Sequence, residues 1–180
     1  MLHDIAIRSL ATLSVILAVS GGTAVAGDAT FGQAPTFNTD VGFSLALSPD
    51  KKAFTATFSG LEAIIDGKSA APIVTRVFSF SIPLSGADAG QEIPFFVSGF
   101  AVSEKGANAH LLFSVNDQSI VAYLPGNSKE GFVHQLKYKA TDAAEAKITV
   151  FLLANRDSRS DAAVHLNVSA IDTDIVKHTR

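Results

Sequence analysis

The stretch SLALSPDKKAFTATFSGLEA, Ser44 to Ala63, decides how the rest of the chain is read. Val41, Phe43, Leu45 and Leu47 share one side of an extended segment, with Gly42, Ser44 and Ala46 on the other. Phe54, Ala56 and Phe58 then alternate with Thr55, Thr57 and Ser59. A period of two belongs to a half-buried β-strand, whose successive side chains point to opposite faces. Between the two runs lies Ser48-Pro49-Asp50-Lys51, with Ser at the first turn position and Pro fixing φ at the second. The stretch reads as a hairpin that sends Phe43, Leu45, Leu47, Phe54 and Phe58 to a core. Lys51 and Lys52 are expected to keep its tip in water.

The same period recurs to the end of the chain. Further strands are expected at Leu61–Asp66, Val74–Leu84, Pro94–Ser103, Ala109–Asn116, Ser119–Leu124, Phe132–Ala140, Lys147–Ala154 and Ala163–Ile171. Turn-rich pieces such as SGADAGQE, SEKGANA and PGNSKEG separate them. Short strands at this spacing predict an all-β domain over residues 41–176. The expected form is one antiparallel β-sandwich of about eight to ten strands, with a closed β-barrel as the alternative. No window carries a long helical period. Thr141 to Ala146 offers one helical turn, because Asp142 and Glu145 resemble a cap and its partner.

Upstream of this domain the chain opens MLHDIAIRSLATLSVILAVSGGTAVAGD. A basic Arg8, an apolar stretch from Leu10 to Val19 and Ala24-Val25-Ala26 have the layout of a secretory signal peptide over residues 1–26, cleaved near Ala26. The apolar run is roughly 10 residues, short of the ~20 a membrane-spanning helix needs. A secreted or periplasmic destination follows as an expectation, with no transmembrane segment once the leader is gone. Residues 27–40 form a polar arm carrying Phe31 and Phe37, expected to lie across the sandwich and plug a core edge. The sharper reading of the arm is a donor strand for a neighbouring subunit. Residues 177–180 are a tail.

The chain contains no cysteine, so thiol nucleophiles and zinc-thiolate sites are excluded and stability must come from packing. That combination suits a bacterial periplasm or exterior. The net charge of −3 is built from scattered Lys and Arg, so no basic patch exists for a nucleic-acid backbone. There is no G-x-S-x-G, S-x-x-K set, phosphate-cradling glycine loop or H-E-x-x-H. The chain is therefore expected not to be an enzyme, and no cofactor is implied.

Weaker candidates remain. His134 falls in phase with Phe132, Leu136 and Tyr138 on the apolar side, whereas His110 and His165 fall in phase with polar neighbours. Calcium is the one metal with candidate ligands: Asn155, Asp157 and Asp161 in one loop, and the pair Asp172 and Asp174. Calcium takes six to eight oxygens, so neither piece suffices alone, and Arg156 and Arg159 oppose a cation. The aromatic set of 13 Phe, two Tyr and no Trp reads as core rather than as a sugar-stacking surface. Phe95-Phe96 is the exception, since adjacent strand residues point to opposite faces. Asn167-Val168-Ser169 is a formal glycosylation sequon inside an expected strand.

The SLALSPDKKAFTATFSGLEA stretch also resembles the N-terminal part of a secreted domain-of-unknown-function family of fungal and actinobacterial proteins. Residues Phe78–Val115 and the closing VSAIDTD are further echoes. The family carries cysteines that this chain lacks. The resemblance implies a secreted all-β domain and no particular activity.

The residues thus point to an exported, non-catalytic module binding a protein, cell-surface or matrix component. A second reading is a self-assembling fibre or surface-layer subunit that uses the arm, with Phe31, Phe37, Phe95 and Phe96 as interface candidates. A third is a carrier or barrel enzyme for a small apolar ligand, with His134 and Tyr138 at its mouth.

Overall fold

The hairpin opens on a turn that its own side chains close. The computed structural model describes residues 29–33, 41–68, 70–124 and 126–175. Lys51 N donates to Ser48 O at 2.9 Å, with Lys51 in the left-handed region at φ 59°. Ser48 Oγ accepts from Lys52 N and Ala53 N at 3.1 and 2.9 Å and donates to Asp50 Oδ1 at 2.6 Å. The Ser48 hydroxyl, then the Lys52 amide, hold the Asp50 carboxyl below its ordinary value. Lys51 is exposed as expected. Lys52 is not: its Nζ is buried without a hydrogen-bond partner.

The strands are β1 (Thr30–Phe31), β2 (Gly42–Leu47), β3 (Ala53–Ser59), β4 (Glu62–Ile65), β5 (Ile73–Ser85), β6 (Glu92–Ser103), β7 (Ala107–Val115), β8 (Gln118–Leu124), β9 (Ser128–Lys139), β10 (Glu145–Arg156) and β11 (Val164–Asp174). They form two antiparallel sheets, ordered β1-β5-β10-β7-β8 and β2-β3-β11-β6-β9. β4 pairs with the first half of β11 and β3 with the second. Gly60, at φ 85°, turns the chain between those two pairings, a conformation that costs glycine nothing. Each sheet ends in open edges, so the molecule is a sandwich and the barrel alternative does not hold. Among the described residues the eleven strands exceed the expected range by one, because the arm contributes β1.

Two local expectations change. The arm is not wholly loop: Thr30 and Phe31 pair with Ser85 and Leu84. The helical turn at Thr141–Ala146 does not form, and no helix occurs among the described residues. Ala144 O accepts from Leu84 N at 2.9 Å, and β10 begins at Glu145, so pairing with β5 outcompetes a single capped turn. Phe37, the expected leader over residues 1–26 and the expected tail over 177–180 lie outside the described residues.

The inward rows of both sheets meet in one core. Phe31 of the first sheet stands edge-on to Phe54 and Phe95 of the second, with centroids at 4.9 and 6.4 Å. Phe95 also meets Tyr138 at 6.2 Å. Along the open side, Phe43 and Phe58 of the second sheet contact Phe78 of the first at 5.4 and 5.3 Å. Each such pair adds about 0.5–1.5 kcal/mol beyond its buried area. A polar strut joins the sheets at one end. Asn116, at φ 52° in the turn after β7, donates from Nδ2 to Tyr138 Oη at 2.8 Å and accepts at Oδ1 from Lys147 N at 2.8 Å.

Two predictions follow from this packing. Phe95→Ala should cost about 3–5 kcal/mol in denaturant unfolding, as a large core deletion does. Phe96→Ala on the outer face should cost roughly 1 kcal/mol for its partial burial. Equal losses would contradict the assignment of faces. For Asp50, a folded pKa below the unfolded one gives stability that is present above the ordinary carboxylate range. That contribution disappears as pH falls through the folded value. Asp50→Asn should therefore lower Tm at neutral pH, with the gap to the parent closing in acid.

Candidate functional site

The outer face of the five-stranded sheet is built by register. Val77 is opposite Phe151, Phe151 is opposite Leu112, and Leu112 is opposite Val121. One straight row of apolar side chains therefore crosses β5, β10, β7 and β8. The next row is Thr75, Leu153, His110 and Tyr123, and the one before it is Ser79, Thr149, Ser114 and Ser119. Val77, Val121 and Tyr123 are 61%, 70% and 56% exposed, and Ile73 beyond them is 58% exposed. Leu112, Phe151 and Leu153 are half-buried by their neighbours.

Polar groups border this stripe on both sides. Ser79 and Thr149 share a hydrogen bond of 2.9 Å between their hydroxyls. On the other border the Tyr123 hydroxyl donates to Asn108 Oδ1 at 2.8 Å, and the Tyr123 ring lies 4.9 Å from the His110 ring. The aromatic ring is thus held upright at one end of the row. The result is an apolar strip with a hydroxyl border and an amide–imidazole border. It can hold a ligand that has an apolar face and polar edges.

The other sheet carries a smaller outward cluster. Phe100 is 39% exposed and sits opposite Asn167 on one side and Gly131 on the other. The His165 ring is 4.8 Å away at 74°, and His165 Nε2 lies 2.9 Å from Glu62 Oε2.

The residues singled out from sequence fall elsewhere. Phe31, Phe95 and Tyr138 are fully buried, so none presents an interface and Tyr138 lines no mouth. Phe31 fills its own core, as the plugging reading of the arm requires. Phe96 faces outward between Asp172 and Gln135 and is half-buried. His134 points inward, stacked on Phe132 with centroids at 5.3 Å, and its Nε2 is buried without a hydrogen-bond partner.

Two of the calcium candidates are engaged by the chain itself, while Asn155 Oδ1 is buried without a hydrogen-bond partner. Asp157 Oδ1 accepts from Arg159 N at 2.8 Å, and Asp172 Oδ1 accepts from Thr55 Oγ1 at 2.6 Å. Arg156 reaches from among them to the carbonyls of Asp66 and Ala162 at 3.2 and 3.3 Å. Asn155 stands in β10 opposite Asn108, while Asp161 and Asp174 are exposed. Among the described residues no three His, Asp or Glu groups gather closely enough to hold a metal.

The stripe itself was not singled out from sequence, though a signal exists. Val150-Phe151-Leu152-Leu153-Ala154 is apolar at both phases, and so is Leu111-Leu112-Phe113. An unbroken apolar run in a strand means that both faces are apolar. In a two-layer sandwich one of those faces must be outside.

No family model matches the chain, and no curated protein is similar to it. Among solved structures, the chain is similar to TmCBM61 in complex with beta-1,4-galactotriose, at 13% identity and a TM-score of 0.30. That likeness covers 71% of this chain and 88% of the other. It is also similar to the enzymatically active domain of bacteriophage CBA120 tailspike protein 4, at 13% identity and a TM-score of 0.32. There it covers 79% of this chain but spans only 19% of the tailspike chain.

The unpartnered imidazole nitrogen inside the sandwich gives a direct test. A buried polar atom without a partner costs about 1–3 kcal/mol. His134→Phe keeps a ring against Phe132 and removes that atom, so Tm should rise. A fall would show that His134 holds a partner in solution.

Proposed function

We propose that this chain is an exported, non-catalytic binding module that docks a cell-surface or matrix polymer across the outer face of its five-stranded sheet. The row Val77–Phe151–Leu112–Val121 carries the reading. Contiguous outward apolar surface bordered by polar groups is characteristic of interaction sites. Four strands at about 4.8 Å spacing make the row about 14 Å long, enough for several units of an extended chain. The hydroxyls of Ser79, Thr149, Ser114 and Ser119 on one side and Asn108, His110 and Tyr123 on the other are placed to meet the edges of such a chain. The leader-like residues 1–26 support export, and the absence of the common nucleophile, phosphate and metal motifs from the sequence supports binding without turnover.

The test is direct. Leu112→Lys within the stripe and Val121→Lys at its β8 end each put an ammonium on the apolar row without touching the core. Each should weaken retention on cell-envelope or matrix preparations by roughly tenfold or more, since a single well-placed contact of ~1.4 kcal/mol has that effect. Tm should change little. Unaltered retention by both variants would remove the face from consideration. Association of the parent protein with itself, abolished by the same variants, would reassign the face to a second copy of this chain.

A further inference from the structure

We infer that the Phe100 cluster on the opposite sheet is a second, independent binding site, and that its ligand is a neutral pyranose unit of a glycan. Four positions define it in a single cross-strand row: Gly131 on β9, Phe100 on β6, Asn167 on β11 and Glu62 on β4. His165 lies in the adjoining row, diagonal to both Phe100 and Glu62. All of these residues are on paired strands, so their side chains are held by the ladder rather than by loops.

The chemistry of the row runs from apolar to polar. Gly131 places no side chain beside Phe100, so one flank of the ring is open to a width of about one strand spacing, ~4.8 Å. On the other flank the His165 imidazole packs against Phe100 at 4.8 Å and is bound to Glu62 at 2.9 Å. Glu62 Oε2 is engaged by His165, which leaves Oε1 to accept from a ligand hydroxyl. The Asn167 amide between them can both donate and accept. A pyranose has this distribution: an apolar face of C–H groups for the ring, and edge hydroxyls for a carboxylate and an amide. Phenylalanine has no polar edge of its own, and the imidazole–carboxylate pair beside it supplies one. An anionic sugar such as a uronate is disfavoured, because the acid lining the site repels a second carboxylate.

Two backbone features sharpen the site. The ladder between β6 and β11 shifts register between Val168 and Ala170, where the partners are Gly99 and Ser98, one pair along from Phe100. Bulges of this kind concentrate where a strand re-aims side chains next to functional sites. Gly99, immediately before Phe100, lets the two strands close there: a Cβ would collide with the carbonyl of Asn167 and with the Phe132 ring.

This site is on the opposite sheet from the proposed apolar stripe, so the two readings are separable in one experiment. The uniformly labelled protein is titrated with disaccharides ending in glucose, galactose, mannose or N-acetylglucosamine, and backbone amide shifts are followed by NMR. The expected result is saturable shifts at Phe100, His165, Asn167 and Glu62 with at least one of the sugars. Affinity should fall roughly tenfold in Phe100→Ala, the loss of one ring contact. It should fall by a similar factor in Glu62→Gln, which keeps shape and removes the charge. Both positions are on the surface, so the amide spectrum of each variant will show an intact fold. No shift with any sugar, or shifts that persist unchanged in Phe100→Ala, would overturn the inference. Shifts confined to Leu112, Val121 and Tyr123 would overturn it too, while supporting the stripe.

Discussion

The aromatic seam between the two sheets is the constraint on which the rest of this structure depends. With no disulfide and no helix layer among the described residues, the sheets are held by what their inner faces bury. Phe31 and Phe78 of one sheet meet Phe54, Phe95, Phe43 and Phe58 of the other. Each inward ring fixes the phase of its strand, since a slip of one residue would carry the ring to the outside. The seam therefore sets not only stability but also which side chains are left facing water.

That second consequence is where function enters. Once Phe113, Leu152 and Val150 are committed to the core, their neighbours Leu112, Phe151 and Leu153 are forced outward. The register of β5, β10, β7 and β8 then gathers them into a row with Val77 and Val121. The same logic on the other sheet turns Phe95 in, and leaves Phe96 and Phe100 out. Neither outer face is held by loops, so a ligand bound to it would meet a preformed surface. Such a surface gives up little conformational entropy on binding.

Much of the fold was legible in the chain. The alternation at Ser44–Ala63 predicted the hairpin and its inward residues, and every later strand was found within a few residues of its expected place. The misses have physical reasons. Lys52 looked like a soluble tip because charge was weighed without regard to which way the side chain folds back. Asp142 and Glu145 looked like a helix cap, yet Ala144 was already committed to the hydrogen bond from Leu84. For the candidate sites almost nothing was legible. Phe95 and Tyr138 drew attention as interface and mouth candidates and the core absorbed both, while Phe31 is buried as the plugging reading of the arm expects. His134 was read correctly as facing the apolar side.

Sequence by itself determined the class of the molecule: strands of period two, turns of Ser, Pro, Asn and Gly, and no thiol chemistry. These are local properties, set by which face each residue takes relative to its neighbours. Tertiary structure alone decided which strands lie side by side. Glu62 and His165 are more than a hundred positions apart, and Val77 and Phe151 more than seventy, yet each pair is adjacent on its sheet. Pairing over such distances follows from how two sheets bury their inner faces together. A site made of outward residues is therefore a by-product of the core, invisible until the core has chosen its strands.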